Sequence, residues 1–136
     1  MNIIDNDNVV CFDVDDTLVM WNVPRDAEDL VVVDNFGTLE TLVPNRKHIE
    51  LMRQFKARGF TVVVWTQGGA SWAKNVIDAL KISDMVDLVM RKPTWVVDDL
   101  SPTAWLSRIY MEEKDGKAIY RFFKDLDEEP SGDTSL

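Results

Sequence analysis

The sequence predicts an α/β fold with a mainly parallel sheet and a small β-hairpin, on three observations. Short apolar runs, each about one strand long, end abruptly in polar residues: 9–12 before Asp13, 60–65 before Thr66, 86–90 before Arg91–Lys92–Pro93, and 95–97 before Asp98–Asp99. Helical patterns occupy the gaps between most of these runs. The polar residues that end the runs also fall where open α/β sheets bind ligands, at the carboxyl ends of the strands.

The elements follow in order. Residues 9–12 are unbroken and apolar, as suits a strand buried on both faces with Cys11 inert inside it. Residues 30–33 and 38–43 flank Asp34–Asn35–Phe36–Gly37, and Gly37 suits the left-handed turn position of a hairpin. That hairpin, over 30–43, reads as a flap. Residues 45–58 place Ile49, Leu51, Met52 and Phe55 on roughly one helical face, with His48 on the surface and Gly59 as the stop. Residues 71–80 space Trp72, Val76 and Leu80 as a second helix. After Asp99, Ser101 suits an N-cap and Pro102 a first turn, and Trp105, Leu106, Ile109 and Tyr110 form an apolar stripe. A last strand is expected over 118–123, after the Asp115–Gly116 turn. No internal repeat or linker divides the chain, so 1–124 is expected to be a single domain.

Composition narrows the chemistry. The 136 residues carry 15 basic and 24 acidic side chains, a net charge of −9. Five of the acidic residues lie in 125–136, which has no basic residue and reads as a disordered acidic tail. Five more, Asp13, Asp15, Asp16, Asp98 and Asp99, belong to or adjoin the strand ends. The rest of the body is near neutral. Bulk charge therefore opposes nonspecific coating of nucleic acid without excluding an oligonucleotide end. One cysteine and one histidine exclude an internal disulfide, a cysteine-built zinc site and any intrachain metal site that needs two histidines. No membrane span is expected. A soluble, cytoplasmic protein of a reducing compartment is the simplest expectation, with its oligomeric state open.

The strand-end residues form one chemical set. Carboxylates at Asp13, Asp15, Asp98 and Asp99 suit a hard cation that keeps several waters, as Mg²⁺ does. Thr66 and Lys92 suit phosphate oxygens, and the glycines after Gln67 suit a close approach of backbone N–H groups to a phosphate. Each residue alone has a plainer reading. Lys92 suits a solvated surface, Thr66 a strand end, and Asp98–Asp99 an acidic pair before a helix. A calcium loop of the EF-hand type is a poorer alternative at Asp13, because Leu18 and Pro24 stand where that loop needs Gly and Glu.

Taken together, the runs resemble the haloacid dehalogenase-like (HAD) phosphatases. Asp13-Val14-Asp15-Asp16-Thr17 resembles their first motif, D-x-D-x-T after a hydrophobic strand. Thr66 resembles the second motif, Lys92 the third, and Asp98–Asp99 the fourth. The resemblance covers about 9–124 and implies a Rossmann-like three-layer sandwich. It implies that Asp13 attacks phosphorus to form an aspartyl-phosphate, and that Asp15 protonates the leaving group and later deprotonates water. It implies phosphoryl binding by Thr66, Gln67 and Lys92, and orientation of the aspartates by Thr17. Mg²⁺ would be held by Asp13, by the Asp15 carbonyl, and by Asp98 and Asp99. The fourth motif departs from the common pattern, with Val97 before Asp98 and the second acid adjacent, so the division of roles between Asp98 and Asp99 stays open. The first gap between motifs holds only the hairpin and one helix, and the gap from Thr66 to Lys92 one helix and a strand, so the chain looks like a minimal capless member with a small flap. An open site admits a nucleotide, a polynucleotide 3′-phosphate, a sugar phosphate or a phosphoprotein. Phosphotransfer and noncatalytic phosphate or metal binding are the alternatives.

Overall fold

A computed structural model of the chain describes residues 1–114, 117–123 and 133–134, with side chains over 1–111. It forms two compact units, Met1–Pro93 and Thr94–Leu136.

The first unit is built on a parallel sheet of β1 (Val9–Phe12), β5 (Thr61–Thr66) and β6 (Leu88–Arg91), with β5 in the middle. Val62, Val63 and Val64 of β5 are all buried, as an apolar β-branched run in a central strand requires. The register sets Phe12 against Val64, and Thr66 against Arg91. Asp13, Thr66 and Lys92 therefore lie together at the carboxyl ends of the three strands. A Lys92 N–H bond to the Thr66 carbonyl, 2.9 Å, extends the pairing one residue past β6.

An antiparallel sheet joins this unit in the order β2 (Val19–Met20), β4 (Thr38–Pro44), β3 (Val31–Asn35). Phe36 and Gly37 both take positive φ between β3 and β4, which gives the expected two-residue hairpin. Its inner face carries Val33 and Leu42 into the core, while Val32, Phe36 and Leu39 are exposed. The Asn75 side chain ties it down, donating to the Asp34 carbonyl at 3.0 Å.

Helix α1 (Arg46–Ala57) starts at Asn45, whose side chain accepts from the His48 N–H, and stops before Gly59, at φ +84°. Helix α2 (Ala70–Leu80) buries Trp72, Ala73, Val76, Ile77 and Leu80. One core gathers these with Val14, Leu18, Ile49 and Met52. Among the described residues, no helix is long and apolar enough to cross a membrane.

Two first-unit expectations are corrected. Cys11 is exposed, because β1 pairs only with β5 among the described strands and its outward side chains lack a covering neighbour. His48 is buried, at 6% exposure, because it turns beneath the loop after β1 instead of toward solvent.

The second unit differs more from expectation. Residues 95–97 form no strand; Trp95 is 89% and Val97 101% exposed. An apolar run becomes a strand only where another strand meets its N–H and C=O groups, and no strand pairs with this run among the described residues. The helix expected after Ser101 is a single 3₁₀ turn, Pro102–Ala104. The apolar stripe beyond it belongs instead to β7 (Arg108–Lys114), which pairs antiparallel with β8 (Lys117–Phe123) from Arg108↔Phe123 to Lys114↔Lys117. Asp115–Gly116 between them is a hairpin signal, and it overrides the helical spacing of Ile109 and Tyr110. β9 (Asp133–Thr134) adds to β8. The rest of the acidic tail lies outside the described residues.

The core makes a direct prediction. Met52 is fully buried, so Met52→Ala should cost about 2–5 kcal/mol of unfolding free energy in urea melts. Val32→Ala, on the exposed hairpin face, should cost less than about 0.5 kcal/mol.

Candidate active site

The loop after β1 folds back on itself. Three N–H groups, those of Thr17, Leu18 and Val19, converge on the Val14 carbonyl at 3.1, 2.9 and 3.3 Å. Asp16 takes the left-handed conformation, φ +56°, which a short polar side chain tolerates. Its N–H donates to the Val19 carbonyl at 2.8 Å, and its Oδ1 accepts from the Trp21 N–H at 3.1 Å. Helix α1 braces the loop from beneath. The Asn45 N–H reaches the Leu18 carbonyl at 2.9 Å, and His48 Nδ1 lies 2.6 Å from the Thr17 carbonyl. At that distance the ring nitrogen carries a hydrogen and donates it.

This framework gives the two motif aspartates different environments. Asp13 is half-buried, and its one bond among the described residues is a long one, from Thr17 Oγ1 at 3.4 Å. The Asp15 carboxylate accepts three. Trp21 Nε1 and Trp72 Nε1 each donate to Oδ1 at 3.0 Å, and Thr66 Oγ1 donates to Oδ2 at 3.0 Å. The Asp15 backbone carbonyl meets no donor among the described residues. Nothing in the sequence marked the tryptophans for this role. Trp72 read as helix core, which it also is, and an indole N–H leaves no trace in hydrophobic periodicity.

Thr66 is buried, with its hydroxyl accepting from the Gly68 N–H at 3.1 Å while donating to Asp15. The Gly69 N–H bonds the Thr66 carbonyl at 3.2 Å. Neither glycine N–H is therefore available to a phosphate as the sequence suggested, because the turn uses both to close itself. The Gln67 side chain is exposed, and the Gln67 backbone carbonyl accepts from Arg91 Nη1 at 2.6 Å. Lys92 is half-buried and has no ion pair or side-chain hydrogen bond among the described residues. In the first unit the structure thus gathers Asp15 with Thr66, and Asp13 with Thr17, at the strand ends where Lys92 also emerges.

Asp98 and Asp99 belong to the second unit, where both are exposed. The Leu100 N–H donates to Asp98 Oδ1 at 3.2 Å. The Asp99 carboxyl beside it, then that N–H, hold the Asp98 pKa below the usual carboxylate range.

The first-unit donors suit Mg²⁺. Among the described residues of this unit no three His, Cys, Asp or Glu side chains form a ligand group. A lightly bonded carboxylate and an unpaired carbonyl are hard oxygen donors for an ion that keeps most of its waters.

His48 makes stability depend on pH. Burial lowers its pKa below the ordinary value, and the bond to the Thr17 carbonyl offsets this only in part. The unfolded chain then binds the proton more readily, so stability should fall as pH drops through about 6.5 and level off below the folded pKa. Urea melts from pH 7.5 to 5.5 should show this loss, at most about 1.4 kcal/mol per pH unit, and His48→Gln should reduce it.

The comparisons with known proteins now bear on this geometry. No curated protein and no solved structure matches the chain. A family model does, that of the NLI interacting factor-like phosphatases, over residues 8–128. Matched over most of its length, and with its paired aspartates at the end of β1, the chain belongs to this HAD-like phosphatase family.

Proposed function

We propose that this phosphatase hydrolyses phosphomonoesters through an aspartyl-phosphate on Asp13, with Asp15 as general acid and base. The observation that carries the reading is the contrast between the two carboxylates. Asp13 has one long hydrogen bond and is available to attack, whereas Asp15 is fixed by three donors.

An Asp13 oxygen bonds to phosphorus as the bond to the leaving oxygen breaks. The leaving oxygen keeps the electron pair and takes a proton from Asp15. Water then attacks phosphorus, gives a proton to Asp15, and releases phosphate with Asp13 restored. Lys92 offers an ammonium group to the phosphoryl oxygens, and Thr66 and Gln67 sit on the adjoining strand end. Thr17 holds Asp13. Bound Mg²⁺ would offset phosphoryl charge that otherwise repels an anionic nucleophile. The Asp13 carboxylate and the Asp15 carbonyl are its proposed ligands in the first unit. Asp98 and Asp99 are proposed to supply further oxygens on the strength of the motif resemblance. The three donors on the Asp15 carboxylate support a carbonyl rather than a side-chain contribution from that residue.

We also read 1–124 as one catalytic domain of Rossmann-like, three-layer type. The family match, which runs through both units, supports this.

The wild-type protein should release phosphate from an aryl phosphate with Mg²⁺ and stop on addition of EDTA. Asp13→Asn should lower kcat by at least about 10³-fold. Substantial turnover by Asp13→Asn would overturn the aspartyl-phosphate route. Asp98→Asn should raise the Mg²⁺ concentration needed for half-maximal rate, and an unchanged Mg²⁺ dependence would remove Asp98 from the ligand set.

A further inference from the structure

We propose that Trp21 and Trp72 are positioning residues: their indole N–H groups fix the Asp15 carboxylate so that Oδ2 alone faces the leaving group. This rests on the reading of Asp15 as the acid that protonates that group.

The argument begins with acceptor capacity. A carboxylate oxygen has two in-plane lone pairs. Oδ1 receives two indole N–H donors, each at 3.0 Å, and is filled. An indole nitrogen can only donate, so a proton placed on Oδ1 would have to displace one of them. Oδ2 accepts from Thr66 Oγ1 alone and keeps one lone pair. The Gly68 N–H occupies a lone pair of the Thr66 oxygen, which favours the hydroxyl as donor toward Asp15. The three donors therefore leave one position on Asp15 open to a substrate oxygen.

The two indoles are themselves held. Trp72 is buried at 5% exposure in helix α2, and its ring lies against Gly68, where an added Cβ would come within 3.1 Å of Cδ1. Trp21 is 40% exposed, yet its backbone N–H is fixed by Asp16 and its ring packs on Trp72 with centroids 5.9 Å apart. A half-exposed tryptophan at a loop end, restrained at the backbone, the ring face and the ring nitrogen, is built for more than packing. The sequence separates Trp21 from Trp72 by fifty-one positions, and only the fold brings both to one oxygen.

Trp21→Phe and Trp72→Phe remove the donors while keeping an aromatic ring. Protonation matters most for a poor leaving group, so the role has a signature that loss of packing lacks. In each variant kcat on an alkyl phosphate should fall at least about tenfold more than kcat on nitrophenyl phosphate, with KM changed less than about twofold. Equal losses on the two esters, or none, would overturn the proposal. A wild-type protein that releases phosphate from neither ester overturns the phosphatase reading, and this inference with it. A second measurement does not require turnover. In ¹H–¹⁵N spectra of the full chain, Asp15→Ala should shift the indole resonances of Trp21 and Trp72, assigned from the Phe variants, and speed their exchange with solvent. Unmoved resonances would show that the indoles do not bond Asp15.

Discussion

The parallel pairing of β1 with β5 is the constraint on which the first unit depends. Strand side chains alternate with a period of two, so a slip of one residue would turn every side chain of β1 to the opposite face. With Phe12 against Val64, the core receives Phe12, Val62 and Val64 together, and Asp13 leaves β1 one residue short of the level of Thr66 on β5. Thr66 then stands within hydrogen-bonding distance of Asp15 although fifty-one residues separate them. A buried apolar cluster lies behind the strand ends. The Asp15 carboxylate is satisfied by one hydroxyl and two indole donors, as a group partly withdrawn from water must be.

The loop between Asp13 and Trp21 has a consistent logic. The carbonyls of Val14, Thr17, Leu18 and Val19 all accept hydrogen bonds, from the loop itself or from the start of α1. The Asp15 carbonyl and most of the Asp13 carboxylate are left to other partners. A braced backbone with an open carboxylate and carbonyl suits the proposed site, which must hold its geometry before substrate arrives. His48 belongs to the support. It lies under Thr17, which in turn bonds Asp13, so the buried imidazole braces the loop that carries both motif aspartates.

Several elements were legible in the sequence because their signals were local. Gly37 after Phe36 marked the hairpin, Asn45 and Gly59 bracketed α1, and the β-branched run before Thr66 marked β5. The misread elements lacked such agreement. Residues 95–97 are apolar enough for a buried strand, but apolarity does not provide a neighbouring strand. Ser101–Pro102 carried helix-start chemistry, yet only one 3₁₀ turn formed, because the Asp115–Gly116 signal favoured a hairpin over the residues from Arg108 onward. Cys11 and His48 were misplaced for a related reason. Burial depends on which face of an element is covered, and a strand at a sheet edge or a helix beneath a loop does not declare that face in one dimension.

For the site, the division is similar. The sequence by itself determined the chemical types and their order: paired carboxylates in D-x-D-x-T, a hydroxyl at a strand end, a lysine after another. Those follow from residue identity and short spacing, which chain geometry carries over directly. Only the tertiary structure decided which donors meet which oxygen. Two tryptophans with the hydrophobic character of core residues turn their N–H groups onto Asp15, and the glycine amides suited to phosphate close their own turn instead. Hydrogen bonds are directional and short, so a partner far along the chain is selected by the packed backbone rather than by composition.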